Sequence, residues 1–361
     1  MDVWVRIMKF SVRINWTRVR RIRNWILTPV ILGVVALTSF QTFAADWASV
    51  IMYHRFGESG YPHTNISIDQ FQEHLSELKS GGYSVLPLGK IVAALEAGES
   101  LPDRTVALTI DDAYLSIYEK AWPLLKETGF PFTVFVSTNN LDANAPDYVS
   151  WDQLREMSDA GVYIGHHGAA HGHLPRLSIE ALKGDIAKAS ARFEEKLGFV
   201  PALFAYPYGE YGTEIKKVIQ EVGFKAAFGQ QSGVAYAGFD PYAYPRFAMN
   251  ENYGGIGRLR LAANALPLRV KDTMPTDNVL QRNPPAFGFS VAENYSNLHQ
   301  LSCYASNQSG GAVPIERIGE TRVEVRLLKA FPTGRGRINC TLPGPEGRFR
   351  WFGSLYYVPK K

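Results

Sequence analysis

From Trp47 onward, short apolar runs alternate with amphipathic stretches of helical period. Ser49-Val50-Ile51-Met52-Tyr53 reads as a strand. Val106-Ala107-Leu108-Thr109-Ile110, Phe132-Thr133-Val134-Phe135-Val136, Val162-Tyr163-Ile164 and the run from Ala202 to Tyr206 read as further strands. Between them, Ser67-Ile68-Asp69-Gln70 is a capping box followed by Phe71, Leu75 and Leu78 at helical spacing. A helix is expected from Tyr114 to Thr128. Ser150-Trp151-Asp152-Gln153 caps another, which Gly161 ends. The stretch from Ser178 to Leu197 repeats Ile179, Leu182, Ile186 and Phe193 before Gly198 stops it, and one more helix runs to Val222. Such repetition predicts an α/β domain, a parallel barrel or sheet of about seven strands with its chemistry at the C-terminal strand ends.

The texture changes around 272–286, where Thr273-Met274-Pro275-Thr276-Asp277 and Asn283-Pro284-Pro285 read as a linker. Beyond it, short alternating runs such as Arg322-Val323-Glu324-Val325-Arg326-Leu327 and Phe349-Arg350-Trp351-Phe352 predict a small all-β, immunoglobulin-like sandwich over 287–361. The α/β domain then covers 46–272. At the other end, Arg13, Arg18, Arg20, Arg21 and Arg23 precede an uncharged run from Asn24 to Ala45. Residues 1–44 therefore read as a secretory signal or, uncleaved, as a membrane anchor. Either reading puts the remainder outside the cytoplasm, in the periplasm or cell envelope.

Charge and composition narrow the function. The net charge is +6 over residues 1–45, −7 over 46–275 and +5 over 276–361. The largest block is acidic, which argues against nucleic acid as a partner. Two Cys exclude a disulfide-dense scaffold and a Cys-rich zinc module. In an oxidising compartment, Cys303 and Cys340, on separate candidate strands, are expected to pair.

Three strand ends carry unusual residues. Asp111 and Asp112 follow an apolar strand, where burial penalises both charges unless something compensates; a metal is the simplest candidate, a helix N-cap the ordinary one. Gly165-His166-His167-Gly168-Ala169-Ala170-His171-Gly172-His173 holds four of the eight His, with His167 and His171 at a common metal-ligand spacing. Two His and one carboxylate leave coordination positions open, as hydrolytic metal sites require. Phe204-Ala205-Tyr206-Pro207-Tyr208-Gly209 is a tight turn that can aim a backbone N–H into a cleft.

Asp111-Asp112, His167-x-x-x-His171 and Pro207-Tyr208-Gly209, in this order, resemble the polysaccharide deacetylase family, carbohydrate esterases with the NodB homology domain. The resemblance covers about 50–270. It implies a distorted (β/α) barrel and metal-dependent removal of acetyl groups from an acetylated polysaccharide. Carried over by position, Asp112, His167 and His171 hold one divalent metal, zinc foremost, with Co, Ni, Fe or Mn also suited to the mixed N/O set. Asp111 is the base, and the Tyr208 backbone N–H the oxyanion donor.

Departures from the family pattern are Ala113 for a Gly, Ala205 for an Arg, and the absence of the late His. His54, closing the first strand, matches a circularly permuted branch that includes poly-N-acetylglucosamine deacetylases, and is assigned as general acid. Arg246, in Tyr244-Pro245-Arg246-Phe247, is placed near the substrate or as the stand-in for the missing Arg. Tyr114, Tyr206 and Tyr211 are expected to line the groove, with Tyr208. An O-acetyl esterase and a degenerate glycan-binding accessory protein are the alternatives. The partner of the C-terminal region is not legible.

Overall fold

The apolar runs become strands whose residues are almost all buried; in the run ending at Asp111 every position is. The computed structural model describes residues 44–308 and 311–360. The proposed signal or anchor therefore lies outside the described residues, apart from Ala44. Among the described residues no helix is long and apolar enough to cross a membrane.

Seven parallel strands make the barrel part of a nine-stranded sheet, to which Ser84–Val85 and the antiparallel Ala235–Tyr236 add short pairings: β1 (Trp47–Tyr53), β2 (Thr105–Asp111), β3 (Phe132–Val136), β4 (Tyr163–His166), β5 (Leu203–Ala205), β6 (Ala226–Phe228) and β7 (Phe247–Ala248). Their spatial order is β6-β5-β4-β3-β2-β1-β7. The sheet curls until Phe228, at the end of β6, forms a parallel bridge with Tyr244, just ahead of β7. The first strand of the barrel thus sits between its second and its last. Ile51, Leu108, Val134 and Phe247 belong to one apolar core, and Val50, Ala107, Phe135 and Ala226 to another.

The helices follow their capping signals. Ser67 and Gln70 bond each other's backbone at the start of the helix Ile68–Ser80, and Ser150 and Gln153 do the same for Trp151–Asp159. Gly198 takes the left-handed conformation after Ile179–Leu197. The expected helix from Tyr114 begins later, as a π-turn Ile117–Ala121 leading into Trp122–Thr128. Residues 113–115 are drawn elsewhere: Leu115 N–H donates to the Asp147 carbonyl, and the Ala113 carbonyl accepts from Val149 N–H.

The C-terminal residues form two four-stranded sheets. One runs Leu266–Pro267, Phe349–Val358, Gly334–Pro343, Ser302–Ala305; the other runs Val270–Met274, Phe287–Val291, Arg322–Val325, Ile315–Ile318. Val270–Met274 is thus a strand where the sequence texture suggests linker. The two sheets share a core that includes Phe289, Val323, Leu342 and Phe352. Cys303 and Cys340 face each other on neighbouring antiparallel strands and are joined by a disulfide. This layer leans on the barrel: Trp351 packs edge-on against Phe247, and Arg348 pairs with Asp103.

Candidate active site

The catalytic candidates converge because parallel strands end at one mouth. Asp111 closes β2 and Asp112 follows it; His54 follows β1, His167 follows β4, and the Pro207–Gly209 turn lies just beyond β5. The backbone there is unusual. Asp112, Ala113, His171 and Tyr208 all hold positive φ, at 76°, 56°, 50° and 61°. Such conformations cost roughly 1–3 kcal/mol each for residues other than glycine and persist where surroundings enforce them.

Asp112, His167 and His171 each present one ligand atom, and these atoms lie within 4.8 Å of one another. His167 Nδ1 is 2.7 Å from the Ala205 carbonyl oxygen, which only accepts, so that nitrogen carries the proton. In the neutral ring, Nε2 is then a bare lone pair, 3.4 Å from Asp112 Oδ1, which is buried and lacks a hydrogen-bond partner among the described residues. His171 Nε2 is 3.0 Å from the same oxygen. Facing acceptors repel unless a positive charge sits between them, so the donor set fits a divalent cation. Burial opposes ionisation of Asp112, yet with protons on the facing imidazole nitrogens in place of a metal the same contacts hold it well below the usual carboxylate range.

The loop carrying His171 is pinned from behind. Asp185 accepts from the N–H groups of Ala169 and Ala170, at 2.8 and 2.9 Å. Gly168 has φ +76°, and a Cβ there would meet Asp185 Oδ2 at 2.6 Å, so glycine is required. Ser137 Oγ donates to the His167 carbonyl.

Asp111 is fully buried and takes two 2.7 Å bonds from Arg246, one to each carboxylate oxygen. Burial would raise its pKa, but Arg246 first, then His167 and His54, bring it below the ordinary value. Arg246 also donates to the Gly229 carbonyl at 2.9 Å. Arg246 is therefore no groove residue: it lies inside the barrel, ahead of β7, with its charge spent on Asp111. His54 Nε2 stands 3.9 Å from Asp111 Oδ2, and burial lowers its pKa despite both carboxylates.

Of the tyrosines assigned to the groove, Tyr114 and Tyr208 stay half-buried, with Arg55 stacked 3.5 Å over the Tyr114 ring. Tyr206 and Tyr211 do not line it. Both are buried in the core beside β5, because their rings pack together at 4.9 Å and the Tyr206 hydroxyl donates to the Tyr242 carbonyl. His74 is not on the polar face of its helix: it shares the buried face with Phe71, Leu75 and Leu78, between the Tyr53 hydroxyl and the Gly254 carbonyl. His166 is packed among Phe193, Phe204 and Phe224, and burial lowers its pKa to about 3. Glu210, missed in the sequence, is a buried carboxylate beside the Tyr208 turn. Its position directly after Gly209 was the available signal.

Residues 98–227 match the family model for polysaccharide deacetylase. The chain is 23% identical over 206 residues to a putative polysaccharide deacetylase, YxkH, of Bacillus subtilis, covering 57% of this chain and 72% of the relative. It is 23% identical over 232 residues to the poly-β-1,6-N-acetyl-D-glucosamine N-deacetylase of Staphylococcus aureus, covering 61% and 80%. Among solved structures it is similar to the Streptococcus pyogenes deacetylase PplD in complex with acetate (TM-score 0.56, 22% identity, 60% of this chain and 98% of that one). It is also similar to IcaB from Ammonifex degensii (TM-score 0.55, 25% identity, 61% and 98%). The NodB-like barrel expected from the sequence is thereby matched in fold.

Proposed function

We propose that this chain, whose residues 98–227 match the family model for polysaccharide deacetylase, is an exported, metal-dependent hydrolase that removes N-acetyl groups from an N-acetylhexosamine polysaccharide, releasing acetate. The supporting observation is the meeting, at one barrel mouth, of the Asp112–His167–His171 trio with the Arg246-held Asp111. Poly-N-acetylglucosamine is the leading substrate, given the similarity to the Staphylococcus aureus poly-β-1,6-N-acetyl-D-glucosamine N-deacetylase; chitin-like polymers and peptidoglycan share the acetamido group. Pairing of Cys303 with Cys340 supports an oxidising compartment. The C-terminal layer is read as an immunoglobulin-like sandwich.

Asp112 Oδ1, His167 Nε2 and His171 Nε2 would hold the metal. When bound, it supplies Lewis acidity to the acetyl carbonyl and makes water a better nucleophile at neutral pH. Asp111 accepts the proton of the attacking water, and Arg246 keeps that carboxylate ionised and oriented. The Tyr208 N–H is second in its 3₁₀ turn, among those a helix start leaves without an internal acceptor, and it donates to the developing oxyanion. His54, across the mouth from Asp111, protonates the departing amine. Water's oxygen ends on acetate, and the sugar leaves as the free amine.

Acetate release from chitin, poly-N-acetylglucosamine, peptidoglycan and acetylxylan, by the metal-loaded protein, tests this. Release from an N-acetylated polymer is expected. Release from acetylxylan alone would make it an O-acetyl esterase, and no release from any would remove the hydrolase reading.

A further inference from the structure

The mouth is completed by a residue from outside the barrel. Arg335, on the C-terminal strand Gly334–Pro343, reaches the Pro207–Gly209 turn. One of its terminal N–H groups donates to the Tyr208 carbonyl at 3.3 Å, and its guanidinium lies 5.7 Å from the Tyr208 ring centre. Its Nε stands 3.9 Å from Glu210 Oε1. Glu210 is 1% exposed, so its charge needs a partner on each side. The second partner is His173, whose Nδ1 is 2.7 Å from Glu210 Oε2. The same imidazole stacks on the Tyr208 ring, 4.2 Å between centres and 15° between planes. Tyr208 is thus held by its carbonyl from one layer and by its ring from the other.

That grip matters because Tyr208 has φ +61°. A residue with a side chain relaxes from this conformation unless its surroundings prevent it. Relaxation toward negative φ rotates the Tyr208 N–H away from the mouth. The next residue cannot absorb the change: Gly209 has φ +70°, and its α-carbon lies so close to Gln230 that a Cβ would meet the Gln230 backbone nitrogen at 2.5 Å. No role in the reaction scheme above uses His173, Glu210 or Arg335, although His173 belongs to the His-rich motif.

We infer that Arg335 is a positioning residue for deacetylation: through the Tyr208 carbonyl and Glu210 it locks the turn that aims the Tyr208 N–H at the oxyanion, so the C-terminal β layer completes the active site. This rests on the oxyanion role given to Tyr208 above. His173 works from the other face of the same ring. No proton or bond changes hands at either residue; each acts by restricting rotation at Tyr208, which links the peptide of its carbonyl to the peptide of its N–H.

The test compares Arg335→Met and Arg335→Lys with the unaltered full chain, zinc-loaded. One substrate is a β-1,6-linked N-acetylglucosamine pentamer; the other is an aryl acetate, which needs no sugar contacts and no proton on its leaving group. Arg335→Met should lose ~10-fold in kcat on both substrates, with KM within about twofold, as expected for a misaimed donor rather than a deleted one. Metal content and melting temperature should not change, and Arg335→Lys should regain part of the rate. A tetrahedral phosphonamidate analogue should weaken by the same factor as kcat/KM. In the metal-free protein, amide exchange in the peptide 206–212 should quicken. His173→Asn should show the same split between kcat and KM.

Unchanged kcat in Arg335→Met, with Asp111→Asn inactive, overturns the positioning role and leaves the site reading intact. A rise in KM alone makes Arg335 a substrate contact and also overturns it. Full turnover in Asp111→Asn removes the site reading and the positioning role together.

Discussion

Replacing Arg246 with Met is the sharpest test of how the base is held. The guanidinium makes two 2.7 Å bonds to Asp111, and both side chains are 0% exposed. Removing one partner of a buried ion pair costs about 3–5 kcal/mol, because the other charge stays behind. The freed Gly229 carbonyl, now without its 2.9 Å donor, adds to this. The stranded carboxyl has one escape, which is to bind a proton. In the unaltered chain the Asp111 pKa lies below its ordinary value, so its contribution is present above about pH 4 and is lost as pH falls through the lowered folded value. In Arg246→Met burial prevails and the folded pKa rises above the unfolded one. The penalty is then absent below about pH 4 and grows as pH rises, by up to ~1.4 kcal/mol per unit until the folded pKa is passed. Urea unfolding of metal-free protein at pH 5 and pH 7.5 should therefore show a wider gap between the two chains at pH 7.5. Acetate release should fall near neutrality, since a protonated Asp111 accepts nothing, and should recover in part toward alkaline pH. Adding Asp111→Asn should restore most of the stability and none of the turnover. A loss below about 1 kcal/mol at pH 7.5, or an equal loss at both pH values, would refute the reasoning.

His171→Ala should lower metal affinity by more than the ~10–100-fold typical of outer contacts, and activity with it; full metal occupancy by elemental analysis would sink the ligand assignment. His54→Ala should keep its metal and fold but lose ~10²–10⁴-fold on the N-acetyl polymer. Its loss on an aryl acetate should be far smaller, and equal losses would count against a general acid. Changing both Cys303 and Cys340 to Ser should cost ~4 kcal/mol in the chain-entropy model for a separation of 37 residues. Thiol titration of the unfolded, unreduced chain should find no reactive thiol, and two would contradict the bond.

Much of the barrel was legible because it is local. Capping boxes at Ser67 and Ser150, the stop at Gly198 and the unbroken apolar runs each depend on neighbours within a few residues. The trio Asp112, His167 and His171 was legible because strand ends bring their followers to one mouth. Contacts that join distant segments were not. Arg246 reaches Asp111 across 135 positions, and nothing in Tyr244-Pro245-Arg246-Phe247 distinguishes a barrel-interior Arg from a surface one. The aromatic residues around Pro207 read alike, yet the turn points Tyr208 outward while Tyr206 and Tyr211 fall into the core. His74 shows a different limit: spaced with Phe71, Leu75 and Leu78 on the buried face of its helix, it is satisfied there by partners from Tyr53 and Gly254 that the local sequence does not reveal. Ala113, where the family pattern has Gly, is accommodated at φ +56° by the strapping of 113–115 onto 147–149.

The place of β1 between β2 and β7 has a consequence for how the chain is made. The strand at 47–53 leaves the ribosome early, but one of its edges has no parallel neighbour until residues 247–248 have been added. For most of synthesis the nascent chain therefore carries an apolar strand with an unsatisfied edge, a surface prone to adventitious pairing. The earliest strand is also the one that carries His54, so that side chain takes its final place only when nearly two hundred later residues have closed around it. Assembly of the barrel is an end-to-end event rather than a progressive one. A nascent chain halted after β6 would hold all three proposed ligands and the base, yet lack the arginine that steadies that base.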